Sequence, residues 1–338
     1  MLNGMKQTVL ALVLAAWGWQ TAQAADSAVI FTYHRFGDSR FPTANTRLDQ
    51  LDAHIAELKS GGYAVLPLPQ IVDALQTGKS LPDKAVALTI DDAWHTVWEY
   101  AWPRFKEAGF PFTLFVVTDE TDRGGADYMS WDRIRELAAS GLVTIGSQGA
   151  GHPHLPALSK AGIADDLARS RARFEAELGR VPALFAWPYG EMSRDAADVV
   201  REAGFKAAFG QHSGPVWIKA DPWFLPRFAM NETYGEPERF RLAARSLPLP
   251  AVDVTPADPK LIANPPSFGF TLSADVPGLD HLACYASHDG RAQTERLGER
   301  IEVRVMKPYP PGRGRLNCTA PSLDGRWRWF GWQFFIPQ

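Results

Sequence analysis

Cysteine is nearly absent from this 338-residue chain, and the two that occur, Cys284 and Cys318, both lie in the last quarter. Their spacing excludes a CxxC metal or redox motif. Outside the reducing cytosol, such a pair is expected to form a disulfide within one small domain. Excess charge of either sign is missing too: a formal net charge of −3 leaves no electrostatic footprint for nucleic acid. Long apolar runs are confined to the N terminus. There Val9 to Trp17 follow Lys6, and Ala22-Gln23-Ala24 supplies the small residues a signal peptidase reads. That run is short for a bilayer span, so residues 1–24 are expected to be a cleaved signal peptide. The mature protein is then exported, periplasmic or secreted, without a transmembrane segment. Nor is there an internal repeat.

Tryptophan and proline, by contrast, are plentiful, at 12 and 26 residues. Numerous tryptophans suit a sugar-handling surface, although most tryptophan in any protein is core. Between residues 28 and 209, extended runs alternate with helical patterns that stop at glycine. Ala28 to Tyr33, Val86 to Ile90, Phe112 to Val117, Val143 to Gly146, Leu184 to Trp187 and Ala207 to Phe209 are expected strands. Helical patterns fall between them, such as Val97 to Ala108 before Gly109 and Ile163 to Leu178 before Gly179. This alternation implies an α/β fold with a mainly parallel sheet, open or closed into a barrel. The division expected is a main domain over 25–246, a proline-rich linker over 247–262 and a small all-β domain over 263–338. The aromatic run Arg326 to Trp332 could stack on sugar rings or fill that small domain's core.

The chemistry concentrates at strand ends. Val86-Ala87-Leu88-Thr89-Ile90 is an apolar strand that ends in Asp91 and Asp92. Side chains alternate across a strand, so one carboxylate can bind a cation while the other faces a substrate. His34 follows the first strand. A glycine-rich stretch after the fourth, Ser147-Gln148-Gly149-Ala150-Gly151-His152-Pro153-His154, brings an amide and two imidazoles. A carboxylate from Asp92 with an imidazole from His152 suits a divalent first-row metal that keeps open positions. Such an ion lowers the pKa of bound water and polarises a carbonyl.

Three stretches in order carry a more specific resemblance. Thr89-Ile90-Asp91-Asp92-Ala93, then Ile145-Gly146-Ser147-Gln148 with His152-Pro153-His154-Leu155, then Phe185-Ala186-Trp187-Pro188-Tyr189-Gly190 before Glu202-Ala203-Gly204-Phe205, resemble the ordered motifs of the polysaccharide deacetylases, the NodB-homology carbohydrate esterases. The resemblance implies a distorted (β/α) barrel of fewer than eight strands. It also implies metal-dependent hydrolysis of N-acetyl or O-acetyl groups on a polysaccharide, with zinc, or cobalt or nickel in its place, as cofactor. By the same resemblance Asp91 is the general base, Asp92 and His152 are metal ligands, and the Tyr189 amide belongs to an oxyanion hole beside Trp187.

The sequence departs from the family in three places. Gln148 stands where the first metal-binding histidine is expected, and an amide oxygen is a weaker ligand than imidazole. Ala186 replaces an arginine. The late Leu-x-His that supplies a general acid is missing, which leaves His34 and His154 as candidates, with Asn231 near the position where that strand would fall. Arg227 could hold the base in place or pair on the surface. The reading is thus an exported deacetylase of an acetylated polysaccharide, a hydrolase of non-peptide C–N bonds. Its rival is a carbohydrate-binding protein on a decayed deacetylase scaffold.

Overall fold

In the computed structural model, which describes residues 24–338, the apolar runs pair side by side in parallel. The signal peptide expected over residues 1–24 lies outside the described residues except for Ala24. β1 (Ser27–Tyr33) and β2 (Ala85–Asp91) are in register from Val29 opposite Val86 to Tyr33 opposite Ile90. Every residue of β2 is buried, as expected of a central strand covered on both faces. From β2 the sheet runs on through β3 (Phe112–Val116), β4 (Val143–Ser147), β5 (Leu184–Ala186) and β6 (Ala207–Phe209), all parallel. On the far side of β1 lies β7 (Phe228–Ala229), also parallel.

The two ends of this sheet are joined. Ala208 N donates to Pro222 O, Leu225 N to Ala208 O and Gly210 N to Leu225 O, which ties β6 to the segment leading into β7. The sheet therefore curls round into the expected distorted barrel. The C-terminal ends of its strands, and with them His34, Asp91, Gln148 and Trp187, meet at one rim. Helices α1 (Leu48–Ser60), α2 (Leu68–Thr77), α3 (Trp102–Ala108), α4 (Trp131–Ala139), α5 (Lys160–Leu178), α6 (Arg194–Glu202) and α7 (Pro237–Ala244) pack outside it. Gly109 and Gly179 stop α3 and α5 in the left-handed conformation, at φ 68° and 65°. The helical pattern from Val97 enters α3 through a wider turn at Val97–Ala101.

Beyond the barrel, short strands form two further sheets. One orders β8 (Ala251–Thr255), β9 (Ser267–Leu272), β12 (Arg300–Arg304) and β11 (Gln293–Leu297). The other is built on β10 (Ala283–Ala286), β13 (Gly312–Pro321) and β14 (Trp327–Ile336). Cys284 on β10 sits opposite Cys318 on β13, and the two are disulfide-bonded.

Residues 247–262 differ from the expected tether. Leu247–Pro248 pairs with β14, Ala251–Thr255 is β8, and Leu249 and Leu261 are buried. The prolines stiffen a packed crossing between sheets, and one apolar cluster runs across it. Phe185, Trp187 and Phe224 of the barrel share this cluster with Phe268, Trp332 and Phe334. Phe224 meets Trp332 edge-on at 5.2 Å. Of the aromatic run, Trp329 packs against Phe228 of the barrel at 5.2 Å, so its indole fills an interface. Among the described residues no helix is long and apolar enough to cross a membrane.

Candidate active site

Asp91 is the last residue of β2 and has no exposed surface. An isolated carboxylate there would take up a proton to escape the low dielectric. Arg227, equally buried and just before β7, prevents this. Its Nη1 donates to Oδ1 at 2.7 Å and its Nη2 to Oδ2 at 2.9 Å, a bidentate pair closed from across the barrel. Arg227 is itself fixed by the Gly210 carbonyl and the Thr89 hydroxyl. Gln211 Nε2 donates to Asp91 Oδ2 at 3.4 Å, and His34 Nε2 lies 3.8 Å from the same oxygen. Burial pushes this carboxyl up, but Arg227, His34 and Gln211 outweigh it and hold the group below the usual carboxylate range.

Asp92 leaves the strand in a different direction, though not through strand alternation. Its φ is 72° and that of Ala93 is 56°, so the chain turns left-handed immediately after β2. Trp94 Nε1 donates to Asp92 Oδ2 at 3.0 Å, while Oδ1, buried, has no hydrogen-bond partner. That oxygen lies 3.6 Å from His152 Nε2. Burial lowers the His152 pKa, although Asp92 and Asp91 pull it the other way, so the imidazole is neutral and keeps a lone pair. An orphaned carboxylate oxygen facing a neutral imidazole fits a divalent cation. Gln148, fully buried, adjoins both: its Oε1 accepts from Asp92 N at 3.3 Å and its Nε2 donates to His152 Nε2 at 3.0 Å. The amide thus turns its nitrogen toward the imidazole, and its oxygen is engaged elsewhere. Among the described residues, no group of three or more His, Cys, Asp or Glu side chains gathers around one point.

The loop that carries Gln148 and His152 is held by a residue the sequence did not single out. Asp166 of α5 accepts from Ala150 N at 2.9 Å and Gly151 N at 2.8 Å. Gly149 has φ 81°, and a Cβ there would stand 2.4 Å from Asp166 Oδ2, so both conformation and space require glycine. His152 itself is left-handed, at φ 54°.

Tyr189 forms the third side, in a turn after β5. It has φ 59° and ψ 8°, and Gly190 N donates to Trp187 O at 2.8 Å to close the turn. The Tyr189 ring touches both imidazoles, with centroids 4.4 Å from His152 and 4.2 Å from His154. His154 is held by a different carboxylate. Its Nδ1 lies 2.6 Å from Oε2 of the buried Glu191, whose pKa is raised by burial against the opposing pull of His154 and Arg313.

The remaining sequence candidates sit apart from this cluster. Trp187 is fully buried with Nε1 on the Trp223 carbonyl, so it supports the turn from beneath. Asn231 closes its own loop, donating to Thr43 O and accepting from Tyr234 N. Gln211, Glu191 and Asp166 went unread because their roles depend on neighbours far along the chain.

Residues 78–208 match the family described as polysaccharide deacetylase. The chain is 24% identical over 236 residues to the poly-β-1,6-N-acetyl-D-glucosamine N-deacetylase of Staphylococcus aureus, covering 61% of this chain and 80% of that protein. It is 27% identical over 217 residues to the protein of the same name from Escherichia coli K12, covering 52% of this chain and 32% of that one. Its fold is similar to IcaB from Ammonifex degensii, with a TM-score of 0.60 at 25% identity over 65% of this chain and 98% of that one. It is also similar to the Streptococcus pyogenes deacetylase PplD in complex with acetate, with a TM-score of 0.60 at 21% identity over 64% and 98% of the two chains.

Proposed function

We propose, from the match of residues 78–208 to the polysaccharide deacetylase family, that this chain removes N-acetyl groups from an N-acetylglucosamine polymer outside the cytoplasm. Asp92 and His152 would hold a divalent metal ion, zinc by the chemistry of the donors, with cobalt or nickel as substitutes. Bound there, such an ion would polarise the acetyl carbonyl and lower the pKa of water. The observation that carries the reading is the pair of unlike carboxylates at the end of β2. Asp91 is buried and ionised in the grip of Arg227, and beside it an Asp92 oxygen without a protein partner faces His152. The choice of polymer is guided by the two relatives named as poly-β-1,6-N-acetyl-D-glucosamine N-deacetylases. Export is proposed on the signal-like N-terminal sequence, and the Cys284–Cys318 disulfide is consistent with it.

Each protein group then has a task. Asp91 draws a proton from the attacking water as its oxygen bonds to the acetyl carbon. Negative charge gathers on the acetyl oxygen, where the Tyr189 N–H meets it. The C–N bond breaks as the nitrogen takes a proton from His34, and acetate and a free amine leave. His34 suits this role better than His154 because its Nε2, in a long 3.3 Å contact with the Gln211 amide, faces Asp91, whereas His154 is held by Glu191 at 2.6 Å.

The test is acetate release from β-1,6- and β-1,4-linked N-acetylglucosamine oligomers by the purified mature chain, with added Zn²⁺ or Co²⁺ and with a chelator. Release that requires metal is expected, falling by about 10²–10⁴ in Asp91→Asn. The contact between Gln148 Nε2 and His152 Nε2 favours the rival of a glycan-binding scaffold, since it occupies the imidazole lone pair. Glycan binding without acetate release at any metal concentration would establish that rival.

A further inference from the structure

β14 contains one buried polar residue in an apolar run. In Trp332-Gln333-Phe334-Phe335-Ile336, Trp332 and Phe334 enter the core shared by the sheets, and strand alternation sends Gln333 and Phe335 the other way, toward the barrel. There Gln333 Nε2 donates to the Tyr189 carbonyl at 3.0 Å. Phe335 lies 6.3 Å, ring to ring, from His154. The neighbouring strand completes the patch, since Arg313 is paired opposite Phe335 and Arg315 opposite Gln333. Arg313 Nη1 donates to the same Tyr189 carbonyl at 3.4 Å, and its Nε is 3.9 Å from Glu191 Oε1. Arg315 Nε donates to Gln333 Oε1 at 3.3 Å, which fixes which end of the amide faces Tyr189.

The Tyr189 turn needs such support. A tyrosine at φ 59° sits in a region that disfavours any side chain and keeps it only where its surroundings leave no alternative. The turn's own bonds, Gly190 N to Trp187 O and Glu191 N to Pro188 O, leave the Tyr189 carbonyl directed at the C-terminal domain. Without the Gln333 bond Tyr189 is free to leave the left-handed region, and the change in φ that this requires re-aims its N–H relative to the carbonyl that Gln333 now holds.

We propose that the C-terminal β domain is a working part of the deacetylation site, with Gln333 and Arg313 as positioning residues that hold the Tyr189 turn so that its N–H meets the acetyl oxygen. This rests on the deacetylase reading above. The experiment uses the full mature chain carrying Gln333→Leu, Arg313→Ala or both, assayed for acetate release with kcat and KM separated. Loss of a properly aimed oxyanion donor lowers kcat by up to about 10²–10³. For Gln333→Leu we expect a fall of at least about tenfold at near-constant KM and unchanged thermal midpoint, with Gln333→Asn, which keeps a donor, partly restoring kcat. A variant kcat within about twofold of the wild type would overturn the proposal, as would losses of kcat that merely track a lowered thermal midpoint. If the wild type itself releases no acetate, the deacetylase reading has failed, and a crystal structure of Gln333→Leu then decides the positioning role alone. Tyr189 leaving the left-handed region supports it, and an unmoved turn sinks it.

Discussion

The bidentate contact between Arg227 and Asp91 is the most consequential ion pair in the molecule, because neither partner touches solvent. Removing one member of such a pair strands the other, at about 3–5 kcal/mol. Arg227→Met is therefore expected to lower unfolding free energy by that order and to move the acidic limb of the activity profile to higher pH. The direction follows from the linkage: Arg227 opposes burial and keeps the Asp91 pKa depressed, so without it the carboxylate protonates at a higher pH. Urea unfolding and a pH–rate series on the folded variant measure the two effects. At this scale the sequence was informative where one residue type has one use. Adjacent aspartates at a strand end, and a histidine sixty positions later, could be singled out in the sequence, and the fold brings Asp92 and His152 within 3.6 Å of each other. Gln211 and Glu191 did not, because a glutamine or glutamate acquires meaning only from the group across the barrel that it touches.

Four of the residues that bend the backbone left-handed without being glycine are Asp92, Ala93, His152 and Tyr189, and all lie on the rim. Each such conformation costs of order 1–3 kcal/mol and persists because the surrounding element enforces it. The Gln148–His152 loop is enforced by Asp166, so Gly149→Ala tests the arrangement directly. Its methyl would meet Asp166 Oδ2 at 2.4 Å and be held at φ 81°, which displaces the loop from α5. The expected result is a loss of about 1–3 kcal/mol in urea unfolding together with weaker metal retention on dialysis. Elements were legible in the sequence to the extent that burial left a period. The barrel strands and the glycine stops of α3 and α5 were readable for that reason. β11 was not, since all five of its residues, Gln293 to Leu297, are exposed on a sheet edge and no apolar alternation marks them. Prolines at 248 and 250 suggested a tether, yet proline is equally at home on a strand edge, which is where residue 248 lies.

For the whole molecule, two buried histidines outside the site shape the response to acid. His54 donates through Nε2 to Gly235 O at 2.7 Å and lies 3.1 Å from the Tyr33 hydroxyl, and burial lowers its pKa to about 4. His212, between the barrel and β14, is lowered to about 3, again chiefly by burial. Both stay neutral in the folded state while the unfolded chain takes up protons below about pH 6.5. Stability is thus complete above that pH and falls from about 6.5 toward 4, by up to about 1.4 kcal/mol per pH unit for each histidine. Urea midpoints at pH 7.5 and 5.0 should differ accordingly, and His54→Gln should reduce the slope by about one proton. A flat profile would contradict neutral burial.

The apolar cluster that joins Phe185 and Trp187 to Phe268 and Phe334 has an implication for how this protein can change. A modular enzyme can exchange its appended domain for another and keep its chemistry. Here an exchange would uncover oily surface beneath the Tyr189 turn at the barrel rim, so the two halves can diversify only in step. Chimeras that graft this barrel onto an unrelated β domain would inherit every rim motif and still lack a firm rim.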